Sequence, residues 1–215
     1  MRCILLILGL FVMHVASAQT LDTFAALHPF KQYVPQQRLD SFNMRQQHIN
    51  KIGMLTITTW GAGNLLYGMV ATGTTHGEAQ VFNASNTIWG TVNLVIGVPG
   101  ILAAYQKQKY MNLSLGRTIL HQHAQEKIFL INGSLDFVYI GAGLAMWGFA
   151  DRQASPRNRY ILSGGGKSFL LQGSVLALFD WGMYIAHSQH AYRDLNRYTA
   201  GLAFTGNGLS YSLAF

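Results

Sequence analysis

Long apolar stretches alternate with short polar ones along this chain. Four of them, Ile52–Thr72, Thr87–Tyr105, Ile128–Ala150 and Ser168–His187, are roughly 19–23 residues long, enough to cross a bilayer as a helix at ~1.5 Å per residue. Polar residues sit inside each: Asn64, Asn93, Asn132 with Asp136, and Gln172 with Asp180. Such groups are costly in hydrocarbon, so they are expected to face one another or a wet cavity. The intervening segments read as a polar turn over Thr74–Ser85, a basic connector over Gln106–Gly116 and a loop over Asp151–Gly166. Pro99 should kink the second span, and Ser114 is placed to cap the long third helix. Ser163-Gly-Gly-Gly-Lys167-Ser168 ends like a phosphate-binding loop but has Ile161 where the first glycine is required. It reads instead as a flexible turn capped by Ser168.

Both ends change the pattern. Leu39, Phe42, Ile49 and Ile52 fall near one helical face, which predicts an amphipathic helix lying in the membrane interface or running into the first span. In the tail, Leu202 and Phe204, then Leu209, Tyr211, Leu213 and Phe215, alternate around Thr205-Gly206-Asn207-Gly208, a hairpin signal. The expected fold is an all-α membrane protein: a four-helix transmembrane bundle with an N-terminal amphipathic helix and a short C-terminal β-hairpin. Residues 1–18 read as a secretory signal, with Arg2, an apolar core over Cys3–Val15 and the cleavage site Ala16-Ser17-Ala18. Residues 19–51 would form the N-terminal region, 52–190 the membrane domain and 191–215 the tail.

Composition supports this. The 215 residues are 50% hydrophobic and only 11% charged, against about 25% charged in an ordinary soluble domain. The net charge of +7 is spread over the N-terminal region and two loops, with no basic face or motif for nucleic acid. Basic residues beside anionic headgroups explain it better. The one cysteine, Cys3, would leave with the signal, so the mature chain would carry no thiolate nucleophile. A cleaved signal puts Lys31, Arg38, Arg45, Lys51, Lys107, Lys109, Arg117 and Lys127 on the exported side, against the positive-inside bias. Inner and outer membrane therefore both stay open.

The first two spans share a pattern. Trp60, Gly61, Asn64, Leu65 and Gly68 recur as Trp89, Gly90, Asn93, Leu94 and Gly97. The glycines permit close helix approach and the asparagines could bond across the gap. Depth adds more. In antiparallel spans Asp136 lies ~12 Å and Asp180 ~10 Å from the same membrane side, with Asn64 and Asn93 together at ~18 Å. Two carboxylates at one depth cannot both ionise cheaply: one takes up a proton, or a cation sits between them. Alternatively they are neutral or paired acids hydrogen-bonded as bundle glue to Tyr67, Tyr139, Tyr184 or the asparagines.

His187 and His190 share a helix face near His121, so Zn²⁺ or Cu²⁺ binding is a further alternative. No other cofactor and no catalytic residue is expected. The signal, the spans and the block Leu170-Leu171-Gln172-Gly173-Ser174 with Leu178-Phe179-Asp180 resemble an uncharacterised family of small four-span envelope proteins from Bacteroidota-type bacteria, a resemblance that implies no activity. The leading expectation is a non-enzymatic, structural or partner-binding protein of the bacterial envelope, with lipid and a second copy or other envelope proteins as partners. A proton or cation carrier using Asp136 and Asp180, and an envelope metal-binding protein, are the alternatives.

Overall fold

A computed structural model describes residues 34–195 and the backbone of 202–205 and 208–211. The expected signal segment and the stretch that follows it to residue 33 lie outside the described residues. Among the described residues four long helices make the fold: α1 Gln36–Thr74, α2 Gly77–Ala104, α3 Leu115–Ala150 and α4 Pro156–Asp194. A 3-10 turn at Lys107–Tyr110 lies in the connector between α2 and α3. α1 and α2 form one antiparallel hairpin, α3 and α4 a second. The two hairpins meet mainly where α2 and α4 pack together. The end holding the start of α1, the connector and the end of α4 is here called the base. The end holding the α1–α2 and α3–α4 turns is the tip.

Local chemistry accounts for the helix boundaries. Only Thr75 and His76 separate α1 from α2, and Gly77 takes a positive φ of 62° there, a conformation that suits glycine. Ser114 accepts a hydrogen bond from the Arg117 amide at 3.4 Å and caps α3. Pro156 occupies the first turn of α4, where its missing N–H costs nothing.

Three expectations are corrected. First, α3, α4 and α2 are long and apolar enough to cross a membrane, but α1 is not among them, so the described fold has three candidate spans rather than four. Thr56, Thr58, Thr59 and Asn64 dilute the apolar character of α1, although each threonine hydroxyl donates to the carbonyl four residues earlier. Second, among the described residues the amphipathic stretch is not a separate interfacial helix but runs straight into the first long helix. Residues from Gln36 onward belong to α1 itself, and Leu39 and Phe42 are buried in a small core with Val34, Leu115 and Leu195. Third, the short C-terminal β-hairpin does not stand as an element of an otherwise all-helical fold. Leu202–Thr205 (β1) and Gly208–Tyr211 (β2) pair antiparallel over four residues a side but form no layer on the helices. So short a ladder has little stability of its own. The expected Asn-Gly turn lies outside the described residues.

The glycine run also differs from the loop expected there. Gly164, Gly165 and Gly166 are helical and buried in α4. A Cβ on Gly166 would stand 2.7 Å from the Gly143 carbonyl and from the Trp147 amide of α3. The glycines serve helix approach there, not flexibility.

Candidate functional site

The polarity of the domain is inverted. Leu66, Val95, Val138 and Leu178 are 67%, 68%, 62% and 79% exposed, while Gln122, Gln172, Ser168 and His187 are fully buried. A water-soluble domain rarely exposes a contiguous apolar surface on this scale. The buried polar side chains fall into three groups along the helix axes.

The central group is a network of amides. Gln172 on α4 is its hub. Its Nε2 donates to Asn64 Oδ1 at 2.7 Å and to Asn86 Oδ1 at 3.0 Å. Its Oε1 accepts from Trp60 Nε1 at 2.9 Å. Ser168 Oγ donates to Asn86 Oδ1 at 2.7 Å, and Asn64 Nδ2 returns to the Trp60 carbonyl at 2.8 Å. Helices α1, α2 and α4 are thereby tied by one side chain. Trp89 packs edge-on against Tyr139 and Phe169 and faces the second hairpin.

The repeated glycines line the α1–α2 seam. Gly61 and Gly90 face each other's helix backbone, and Gly68 and Gly97 face Thr87 and Thr58. Asn64 turns to Gln172 rather than to Asn93. Asn93 is buried with its Cβ position against Gly61, and its Nδ2 lacks a hydrogen-bond partner among the described residues.

Toward the base from this hub lies the pair of acids. Asp136 and Asp180 are 2% and 6% exposed, and their carboxyl groups interact across the α3–α4 seam. Gly173 and Gly133 flank them: Gly173 lies against the Asp136 carbonyl and Gly133 against the Trp181 ring. Asn132 is half-buried on α3 and joins neither group. None of the ion pairs formed among the described residues includes either acid.

The third group, at the base, has the most unsatisfied atoms. α1 brings Asn43, Gln46, Gln47 and Asn50, α3 brings Thr118 and Gln122, and α4 brings His187 and His190. Asn43 Nδ2 donates to Thr118 Oγ1 at 3.1 Å, Gln47 Nε2 to the Ala104 carbonyl at 2.6 Å and Gln122 Nε2 to the His187 carbonyl at 2.8 Å. His187 Nε2 lies 2.9 Å from Asn50 Oδ1, and its ring stacks on Phe129. His190 stacks on Phe42 with ring centroids 4.1 Å apart and donates from Nε2 to the Phe42 carbonyl at 3.1 Å. Its Nδ1 is 3.3 Å from Asp194 Oδ2.

Both polar atoms of Gln46, Asn43 Oδ1, Gln122 Oε1 and His187 Nδ1 have no partner among the described residues. At ~58 Å, the 39 residues of α4 outrun the ~30 Å of hydrocarbon. His190 and Asp194 lie in the last five residues of that helix, at the base. Burial holds the His190 imidazole below the ordinary histidine range.

The three metal candidates do not form a site. His121 stands edge-on to Tyr110. Among the described residues no group of three or more His, Cys, Asp or Glu is arranged to hold a metal ion.

Several of these residues escape a reading by span. Asn83 falls in the segment read as a polar turn and Asn86 between that turn and the second span, yet they continue the face of Gly90, Asn93 and Gly97 at helical spacing. Asn43, Gln46, Gln47 and Asn50 repeat the same period within the region read as interfacial. Following polar periodicity past the apolar windows would have located both groups.

A family profile matches residues 56–181, which hold the amide hub and the acid pair. The chain belongs to a family of unknown function, DUF6992. No curated protein and no solved structure matches it. The matched span ends at Trp181, so the histidines of the base lie outside it.

Proposed function

We propose that this DUF6992 protein is a non-enzymatic integral membrane protein of the bacterial envelope, a helical scaffold that binds lipid and a partner through its apolar band. The inverted polarity carries the reading. Side chains such as Val95 and Leu178 face outward, and the amides of Gln172, Asn86 and Asn64 saturate one another inside. In water that arrangement gives up the hydrophobic term on the outside and desolvates amides within. In hydrocarbon both choices are favourable. Exposed threonines agree with it, since Thr56, Thr59 and Thr91 donate to their own helix and need no water. A second copy of the chain or another envelope protein is the partner this surface suits. The test is membrane fractionation followed by crosslinking. The protein should stay with alkali-washed membranes and give a discrete crosslinked species. Release into the soluble fraction, or a monomer that captures nothing, contradicts the proposal.

A second reading, the handling of protons or cations, is favoured by one observation: the interaction of Asp136 with Asp180 in the apolar zone.

A further inference from the structure

We infer that the Asp136–Asp180 pair is a proton-binding site whose two carboxyl groups share one proton at neutral pH. The inference deepens the proton-handling reading and rests on the embedding of these helices in hydrocarbon.

The geometry carries it. Both carboxyl groups are more than nine-tenths buried, and they face each other across the α3–α4 seam, where Gly173 lies against the Asp136 carbonyl and Gly133 against the Trp181 ring next to Asp180. Two negative charges facing each other, away from water, repel and lose their hydration. A compensating cation would relieve this, and the described residues place none there. The charged residues of α1, from Arg38 to Lys51, are all near the base, and the single charge of α2, Glu78, is at the tip. On α3, Arg117, Lys127 and Glu126 are at the base, and on α4, Lys167, Arg157 and Arg159 are toward the tip. His187, His190, Arg193 and Asp194 follow Asp180 toward the base. The titratable group of α3 that faces the pair electrostatically is the phenol of Tyr139, which brings no positive charge.

The neighbours are those of a proton site rather than a metal-ion site. On the buried face of α4, Leu176 and Ala177 lie on one side of Asp180 and Met183 on the other, all of them buried. A calcium or magnesium ion takes six or more oxygens, whereas the pair supplies four and the buried rungs of α4 beside it are apolar. A proton needs only two. One carboxyl then donates its O–H to the other, the pair carries a single negative charge, and Asp136 Oδ2, otherwise without a partner, becomes part of that bond.

Infrared spectroscopy of the full chain in lipid vesicles tests this directly, with aspartate carboxyl carbons isotopically labelled. The sequence holds Asp22, Asp40, Asp136, Asp151, Asp180 and Asp194. At pH 7 the wild type should show the carbonyl stretch of about one aspartic acid per chain, moved by the label. That band should vanish in the Asp136→Asn/Asp180→Asn variant and persist in Asp151→Asn. The wild-type spectrum alone decides the matter if the double variant fails to fold. A wild type with carboxylate bands only, in potassium or in sodium buffer, overturns the inference. A protein that stays in the membrane without that band loses this site but keeps the proposed scaffold role.

Discussion

Two regions of the interior use the same kind of side chain in opposite ways. Around Gln172, the hub's amide has its donor and acceptor sides engaged, with bonds of 2.7–3.0 Å to residues of α1 and α2. Around Gln46, twelve or more residues closer to the base, an equally buried amide has no partner at either end. Burial of polar atoms therefore has no single meaning in this molecule. A saturated network acts as an adhesive between helices, because removing one member strands the others. An unsaturated one contributes little to cohesion.

The comparison can be broken or sharpened by substitution. The largest effect is expected at the glycine contact between α3 and α4. Gly166→Val places a side chain against Gly143 and Trp147, with no room to yield because both contacts are backbone. A cost at or above the top of the usual 1–3 kcal/mol or so for overpacking follows, seen as loss of a single peak in size exclusion in detergent. Next is Gln172→Leu, which leaves Trp60 Nε1 and Asn64 Oδ1 unpaired. About 2–4 kcal/mol should be lost, measured by reversible unfolding in mixed micelles. Gln46→Leu, equal in chemistry and burial, should change stability by less than about 1 kcal/mol or raise it. Equal losses from the two substitutions would erase the distinction between the regions.

The base should also respond to pH where the hub does not. Burial lowers the proton affinity of His190 in the folded chain, so the unfolded chain binds its proton at the higher pH. Stability is then full above the ordinary histidine value of about 6.5 and falls as pH drops below it. Melting at pH 7.5 and pH 5.5 should show that drop, and His190→Phe should shrink it. The smallest effect belongs to the tip. Lys167 and Glu78 make an ion pair at 2.5 Å with side chains 41% and 38% exposed. Glu78→Gln should cost no more than about 1 kcal/mol in the same melting assay, and salt should mask it.

Much of this architecture was legible in the sequence, and the limits have physical causes. The long helices, their antiparallel order and the placing of Asp136 beside Asp180 follow from segment length and rise per residue, whereas the number of membrane spans did not. Recurring glycines beside Trp60 and Trp89 signalled the α1–α2 seam because only close backbones need them. The partner of Asn64 was not legible. Asn93 matched it in pattern, but Gln172 on a distant helix reached it first, and such a choice depends on how the two hairpins dock. The helical glycine run was misread for a related reason. Glycine is a breaker in an isolated chain, and a partner helix at Gly143 turns it into a contact surface. The start of α1 was misread because an apolar stripe looks the same whether it meets lipid or Leu115 and Leu195.

All of these arguments place hydrocarbon around the helices. Spin labels at Leu66→Cys, Val95→Cys, Val138→Cys and Leu178→Cys, on the full chain with Cys3→Ser in lipid vesicles, test that directly through their collisions with oxygen and with a water-soluble nickel complex. The account predicts high oxygen and low nickel collision rates at all four positions, which are among the most exposed apolar residues. Nickel collision rates as high as those of a label at exposed Arg152 on the α3–α4 turn would contradict it.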